Sequence, residues 1–594
     1  MFAALSRRAA LLMGAAFAAP LPAFASQAAP GTADSAFEAL GRAALDETFR
    51  LDPVSATSIG DHRFDGRLPD LSPGGWTSRA DLCRRLLTDL EAIPHGALSR
   101  ANQVDAALLE SNLRNDLWSN ETLQAWRWDP LIHNAAAGGA LYGLIAREFA
   151  PLDARLASAT SRLTGLPELL EGARAALVPE RVPEIHAQTY SAQNAGLTGL
   201  IDQIVDLGAD LSSERRGALA AAAEIARAAV AEHQIWIDTQ LVPNARGEFR
   251  LGAQLYDAKL AFALNSPLSR AEIGQRAQAA LERLTGDMYE LARTVLSDRP
   301  EAPPMPENAT GAEKRTAIAA ALELAYADRP ARDGVLEVAN AALAQATAFV
   351  AENNIISLPD DPLEIIVLPE FQRGVAFAYC DSPGPLDRGQ KTYYAVSPIP
   401  DAWTDEQVTS YLREYNVRSV HELTIHEAMP GHYVQLAHAN RYPSALRAVL
   451  ASGSFIEGWA CYSEDVMADA GYYGGDPLFK LVHLKWQLRV IGNALVDQYV
   501  HVDGMDREAV MAFMVEHTYQ QEREAAGKWT RAQLSSAQLP TYFVGWEEHR
   551  ALRAEAETRA GPEFDMKAYH DRLLSFGSPP VRYARALLLD EPIG

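Results

Sequence analysis

The chain is 594 residues long, 48% hydrophobic and 22% charged, a composition that suits a folded globular protein and excludes a disordered or membrane-embedded one. An excess of 77 acidic over 53 basic residues leaves a net charge of −24, which argues against nucleic acid as a partner. The three cysteines, Cys83, Cys380 and Cys461, allow at most one internal disulfide, so apolar burial must supply the stability.

Residues 1–25 read as an export signal. Arg7-Arg8 precede an apolar run that ends in the small-residue pattern Ala23-Phe24-Ala25. Ser6-Arg7-Arg8-Ala-Ala-Leu11 resembles a twin-arginine signal, so the mature protein is expected in the periplasm or secreted. Pro20 and Pro22 interrupt the run and leave it short of the roughly 20 apolar residues that a spanning helix needs, so no stable membrane insertion is expected. No cysteine follows the signal to accept a lipid.

Residues 33–356 form an N-terminal helical region. Stretches such as 213–241 and 269–296 carry apolar residues at three- and four-residue spacings, with Ala, Leu, Glu and Arg between them. Proline-rich segments at 298–308 and 357–364 read as linkers. The remainder, 357–594, opens with three β-favouring runs, EIIVLP, GVAFAY and TYYAVS, which predict a small sheet between residues 364 and 397. An exposed edge of such a sheet would hold an extended peptide, or the sheet would merely pack on the helices. Helices resume after Thr404, so the fold class is mainly α.

The chemistry concentrates in HELTIHEAMPGHYVQLAH (421–438). Zinc takes neutral imidazoles and carboxylates and keeps one position open when it is catalytic. In the usual His-Glu-x-x-His arrangement two histidines four apart share a helix face, but His426 and His432 are six apart and would diverge by roughly 120° on a straight helix. Met429-Pro430-Gly431 removes one helical hydrogen bond and adds backbone freedom, so a bulge or kink there would return His432 to the face of His426. Glu427 then stands where a general base belongs. A rival pairing uses His421 and His426, five apart, or Glu422 and His426, four apart on an unbroken helix, and Glu422 is also a candidate acceptor for a histidine N–H. Glu457, 25 positions after His432, is spaced for a third ligand on a returning helix, with Glu464 and Asp465 behind it to orient ligands. The alternative is a histidine-rich helix that binds nothing. Against that stand the flanking histidines, the Pro-Gly pair inside a helical pattern and the acidic cluster.

HEAMPGH, EGWACYSED, PTYFVGWEEHRALR and FDMKAYHDRLLSFG, with PVSATSIGDHRFDGRLPDLS at 53–72, together resemble the large bacterial family catalogued as domain of unknown function 885, which is grouped with the gluzincin metallopeptidases. The resemblance implies Zn2+ bound by His426, His432 and Glu457, with Glu427 as general base. It further implies a gluzincin-like helical fold with a deep cleft that admits short peptides. Tyr542 matches the tyrosine that stabilises the oxyanion, and His501, in an Asp497-x-x-x-His501 pattern, would contact substrate. Two positions depart from the family pattern: Tyr433 stands where a further histidine is common, and Cys461 replaces an aliphatic residue.

The expected activity is therefore that of an exported zinc metallopeptidase. A zinc amidohydrolase acting on non-peptide or cell-wall amides would use the same ligands and base, whereas a non-catalytic periplasmic binding protein would have no need of Glu427. Arg373, Arg388 and Arg489 are candidate anchors for a substrate carboxylate, although arginines more commonly serve as surface or structural charges.

Overall fold

A computed structural model describes residues 31–368 and 377–593. The expected signal at 1–25 and Arg373 lie outside the described residues. The chain is 72% helical with one three-stranded sheet, as a mainly α reading requires.

In the N-terminal region, α1 (Leu152–Ala176) packs on α2 (Ser213–Trp236) through Leu163, Leu166, Ala222 and Ala226, all buried. The α-helix predicted over 213–241 stops at Trp236, and its last turn, Ile237–Leu241, widens into a π-helix. α3 (Arg270–Leu296) starts at a capping box, in which the Ser269 hydroxyl accepts from the Glu272 N–H and the Glu272 carboxylate accepts from the Ser269 N–H. The proline-rich segment 298–308 then breaks the pattern, as expected.

The sheet consists of β1 (Leu363–Val367), β2 (Ala378–Asp381) and β3 (Thr392–Val396) in the order β1-β3-β2. β1 runs parallel to β3 and β2 antiparallel to it. The third predicted run is found in place as β3 and the first as β1, which starts one residue earlier; β2 starts near the end of the middle run, part of which falls among residues not described.

The rest is helical: α4 (Val417–Glu427), α5 (His432–Ala439), α6 (Gly453–Asp469), α7 (Pro477–His501), α8 (Glu522–Leu534) and α9 (Pro540–Ala560). Asn416 caps α4 by accepting from the N–H groups of Arg418 and Ser419, and Ser452 caps α6 by accepting from that of Phe455. One apolar core joins α3 to the helices around the histidine motif, from Tyr256 through Trp459 and Ile491 to Ala584. α6 and α9 cross at two glycines. A Cβ on Gly458 would lie 2.3 Å from the Gly545 carbonyl carbon, and one on Gly545 would lie 1.9 Å from the Ser454 oxygen. Only two helices without side chains at that point can approach so closely. The crossing sets Glu457 on α6 beside Tyr542 on α9.

Candidate metal centre

The stretched motif is accommodated by a clean break in the helix, not by the bulge or kink expected from the sequence. α4 ends at Glu427, Ala428 leaves the helical region at φ −128° and ψ −71°, and a new helix starts at His432. The Met429–Pro430 bond is cis. Within the link, the Gly431 N–H donates to the Ile425 carbonyl, and the Trp459 indole N–H donates to the Pro430 carbonyl from α6. Glycine is required at 431 because a Cβ there would sit 1.9 Å from the His426 oxygen. The two imidazole rings then lie with centroids 4.7 Å apart and planes nearly perpendicular.

Both rings aim Nε2 at one carboxylate oxygen. His426 Nε2 is 3.6 Å and His432 Nε2 3.4 Å from Glu457 Oε2. These separations exceed an ordinary hydrogen bond, and Oε2 is buried without a hydrogen-bond partner. They match a different spacing: two donors each about 2.0 Å from a tetrahedral ion are about 3.3 Å from each other. The orphaned oxygen and the two converging nitrogens fit a zinc-sized cation held by His426, His432 and Glu457. Burial works against the charge on Glu457, but the two imidazoles hold its carboxyl far below the usual range.

Neighbouring side chains orient His426, whereas His432 Nδ1 is buried without a hydrogen-bond partner. Glu464 Oε1 accepts from His426 Nδ1 at 2.6 Å, and Gln487 Nε2 donates to Glu464 Oε2 at 2.9 Å, which leaves His426 Nε2 free to ligate. Behind them a second buried network runs from Glu422 through His483 to Asp465, at 2.7 and 3.1 Å, and Asp465 also accepts from the Trp546 indole. Burial disfavours a charge on His483, yet Glu422 and Asp465 push its pKa up to about 10, so it stands as an imidazolium between two carboxylates. Glu422 thus accepts from a histidine, but from His483 and not from His426 or His432.

Glu427 follows His426 directly, and its Oε2 accepts the backbone N–H of Cys380 on β2 at 2.9 Å. Burial raises its pKa, which the neighbouring His426 and His432 partly offset. Tyr542 half-stacks on His426 with ring centroids 6.4 Å apart, and its hydroxyl accepts from Arg531 at 3.2 Å. Of the sequence-predicted site residues, His426, Glu427, His432, Glu457 and Tyr542 therefore come together.

His501 does not join them. It is buried at the end of α7, where Nε2 bonds the carbonyls of Ala532 and Ser535 at 2.8 and 2.9 Å, and its ring stacks on Tyr256. There it ties down the C-terminal end of α8. His421 is also turned away, with Nδ1 bonded to the Tyr472 hydroxyl at 2.8 Å, so the rival His421–His426 pair does not form. Cys461 lies beside His426 and Glu464, but burial pushes its thiol up to about 12 and keeps it protonated. Tyr433 donates to the Asp361 carbonyl. Gln487, Cys380 and Arg531 escaped the sequence reading, because one polar residue on a helix or strand carries no signal until the fold shows what it meets.

A family model described as bacterial protein of unknown function (DUF885) matches residues 53–588. Among solved structures, a protein described as a lipoprotein of unknown function from Shewanella oneidensis is 32% identical, with a TM-score of 0.79 over 93% of this chain and 99% of that one. A protein described as a lipoprotein from Colwellia psychrerythraea shares the fold at 18% identity, with a TM-score of 0.78 over 94% of this chain and 99% of that one. No curated protein matches the chain.

Proposed function

The chain belongs to the DUF885 family, and we propose that it is an exported zinc-dependent peptidase of gluzincin type that hydrolyses short peptides. The observation that carries this reading is the convergence of His426 and His432 on the unpartnered Glu457 Oε2, with Glu427 as the next side chain. Zinc held there would supply a Lewis acid that polarises a carbonyl and acidifies water.

The protein's own groups do the rest. Glu427, buried and ready to accept a proton, takes it from the attacking water and returns it to the leaving amine. The Tyr542 hydroxyl, with Arg531 behind it, donates to the oxygen on which negative charge develops. β2 is an edge strand among the described residues, and its Cys380 N–H, turned away from β3, holds Glu427. An extended peptide laid along that edge would pass beside the base. The deep, helix-walled cleft that the resemblance implies is part of the reading. Export is supported by the twin-arginine pattern and by the description of the 32% identical Shewanella oneidensis protein as a lipoprotein. Among the described residues no helix is long and apolar enough to cross a membrane.

The test is metal content by elemental mass spectrometry beside peptide hydrolysis. The wild-type protein should carry about one zinc per chain, His432→Ala should lose it, and Glu427→Gln should keep it while turnover falls by at least about a hundredfold. Zinc absent from the wild-type protein after reconstitution would sink the proposal.

A further inference from the structure

Beyond Tyr542, α8 presents a face with more cations than carboxylates. Arg531 donates to Tyr542 Oη at 3.2 Å and to Gln538 Oε1 at 2.7 Å, and it has no carboxylate partner among the described residues. Lys528 lies one turn earlier on the same face, only 3% exposed, with neither a hydrogen bond nor an ion pair among the described residues. The nearby acids are already committed. Glu524 pairs with Arg489 at 2.5 Å, and Glu414 pairs with Lys485 at 2.8 Å and also accepts the Gln521 N–H.

Lys528 thus has a largely buried stem whose ammonium meets no carboxylate, although a chain with a net charge of −24 had ample carboxylate to supply one. Burial, then Arg489 and Arg531, hold the Lys528 pKa well below its ordinary value. The missing partner is an anion, and the cations that await it stand one tyrosine away from the metal ligands.

We propose that Lys528 and Arg531 receive the free C-terminal carboxylate of the peptide, so that the protein removes residues from the carboxyl end of its substrates. This rests on the peptidase reading above and adds the substrate class and the direction of cleavage. An arginine and a lysine side by side suit a carboxylate, since the guanidinium offers parallel N–H donors and the ammonium a point charge. An internal cleavage site, or an amidated terminus, leaves both cations unpaired.

The experiment uses full-length zinc-loaded Glu427→Gln, which can bind without turnover. Calorimetry would compare acetyl-Ala-Ala-Ala, its C-terminal amide, and acetyl-Ala-Ala-Glu-amide. The free acid should bind at least about tenfold more tightly than either amide, and its heat should vary with buffer ionisation as Lys528 takes up a proton. Adding Lys528→Met should abolish both the preference and the proton uptake, Lys528→Arg should retain the preference, and Arg531→Gln should weaken it. Acid and amide binding within twofold of each other, equal binding of the Glu-amide, or no binding at millimolar peptide would each overturn the assignment. A preference for the acid in a wild-type protein that hydrolyses none of the peptides would leave the carboxylate site standing and remove the peptidase reading.

Discussion

Glu464 lies behind His426, and its carboxylate decides which nitrogen of that ring points at Glu457. Because Nδ1 is held at 2.6 Å, Nε2 is the free donor. Glu464→Gln keeps the shape and loses the charge that makes the imidazole a better ligand, so zinc affinity should fall about 10- to 100-fold in competition with a chelator. Tyr542 is expected to act at a different stage. Tyr542→Phe removes a donor to developing charge, and kcat should drop by roughly 10²- to 10³-fold with KM little changed. A matching rise in KM would instead mark the tyrosine as a ground-state contact.

At the scale of elements, the site depends on two places where backbone meets backbone. The link between α4 and α5 tolerates no Cβ at 431, and the α6–α9 crossing tolerates none at 458 or 545. Gly545→Ala must push α9 off α6 and carry Tyr542 away from Glu457. Overpacking of this kind costs about 1–3 kcal/mol, to be read from chemical denaturation, and peptide turnover should fall further than stability alone accounts for. Gly431→Ala strikes the His426 carbonyl directly, so zinc stoichiometry should collapse while far-UV circular dichroism stays helical. The sheet belongs to the same scale. β2 contributes a single N–H to Glu427, and it keeps its place because β3 pairs with it on one side.

At the scale of the whole molecule, the N-terminal region grips the connection between β2 and β3. Arg147 donates to the Asp381 carboxylate at 2.7 Å and to the Lys391 carbonyl at 2.6 Å. His62, stacked on Phe149, bridges Asp65 and Asp387 at 3.1 Å each. Burial disfavours its charge, but Asp387 and Asp65 push its pKa up to about 9. A folded value above the ordinary 6.5 means that the bridge stabilises fully below pH 6.5 and that its contribution is lost as the pH rises through about 9. Stability from urea unfolding should therefore decline over that interval, and His62→Gln should flatten the decline. An unchanged slope would show that the bridge is already neutral at pH 6.5.

The sequence by itself determined that the chain is mainly helical, that a small sheet precedes the histidine motif, and that His426, Glu427, His432 and Glu457 are the residues to watch. It could do so because helical periodicity, β-branched runs and ligand spacing are local properties of the chain. The mode of return of His432 was decided by tertiary structure: Pro430 and Gly431 announced an interruption, but the contact from Trp459 and the crowding at His426 exist only once α6 is packed. His501 and His421 looked as chemical as their neighbours. Their positions emerged only when one met the end of α8 and the other met Tyr472. Gln487, Cys380, Lys528 and Arg531 carried no signal at all, since the meaning of a polar group lies in what faces it, and a meeting such as that of the Cys380 N–H with Glu427, 47 positions apart, is written in no local pattern.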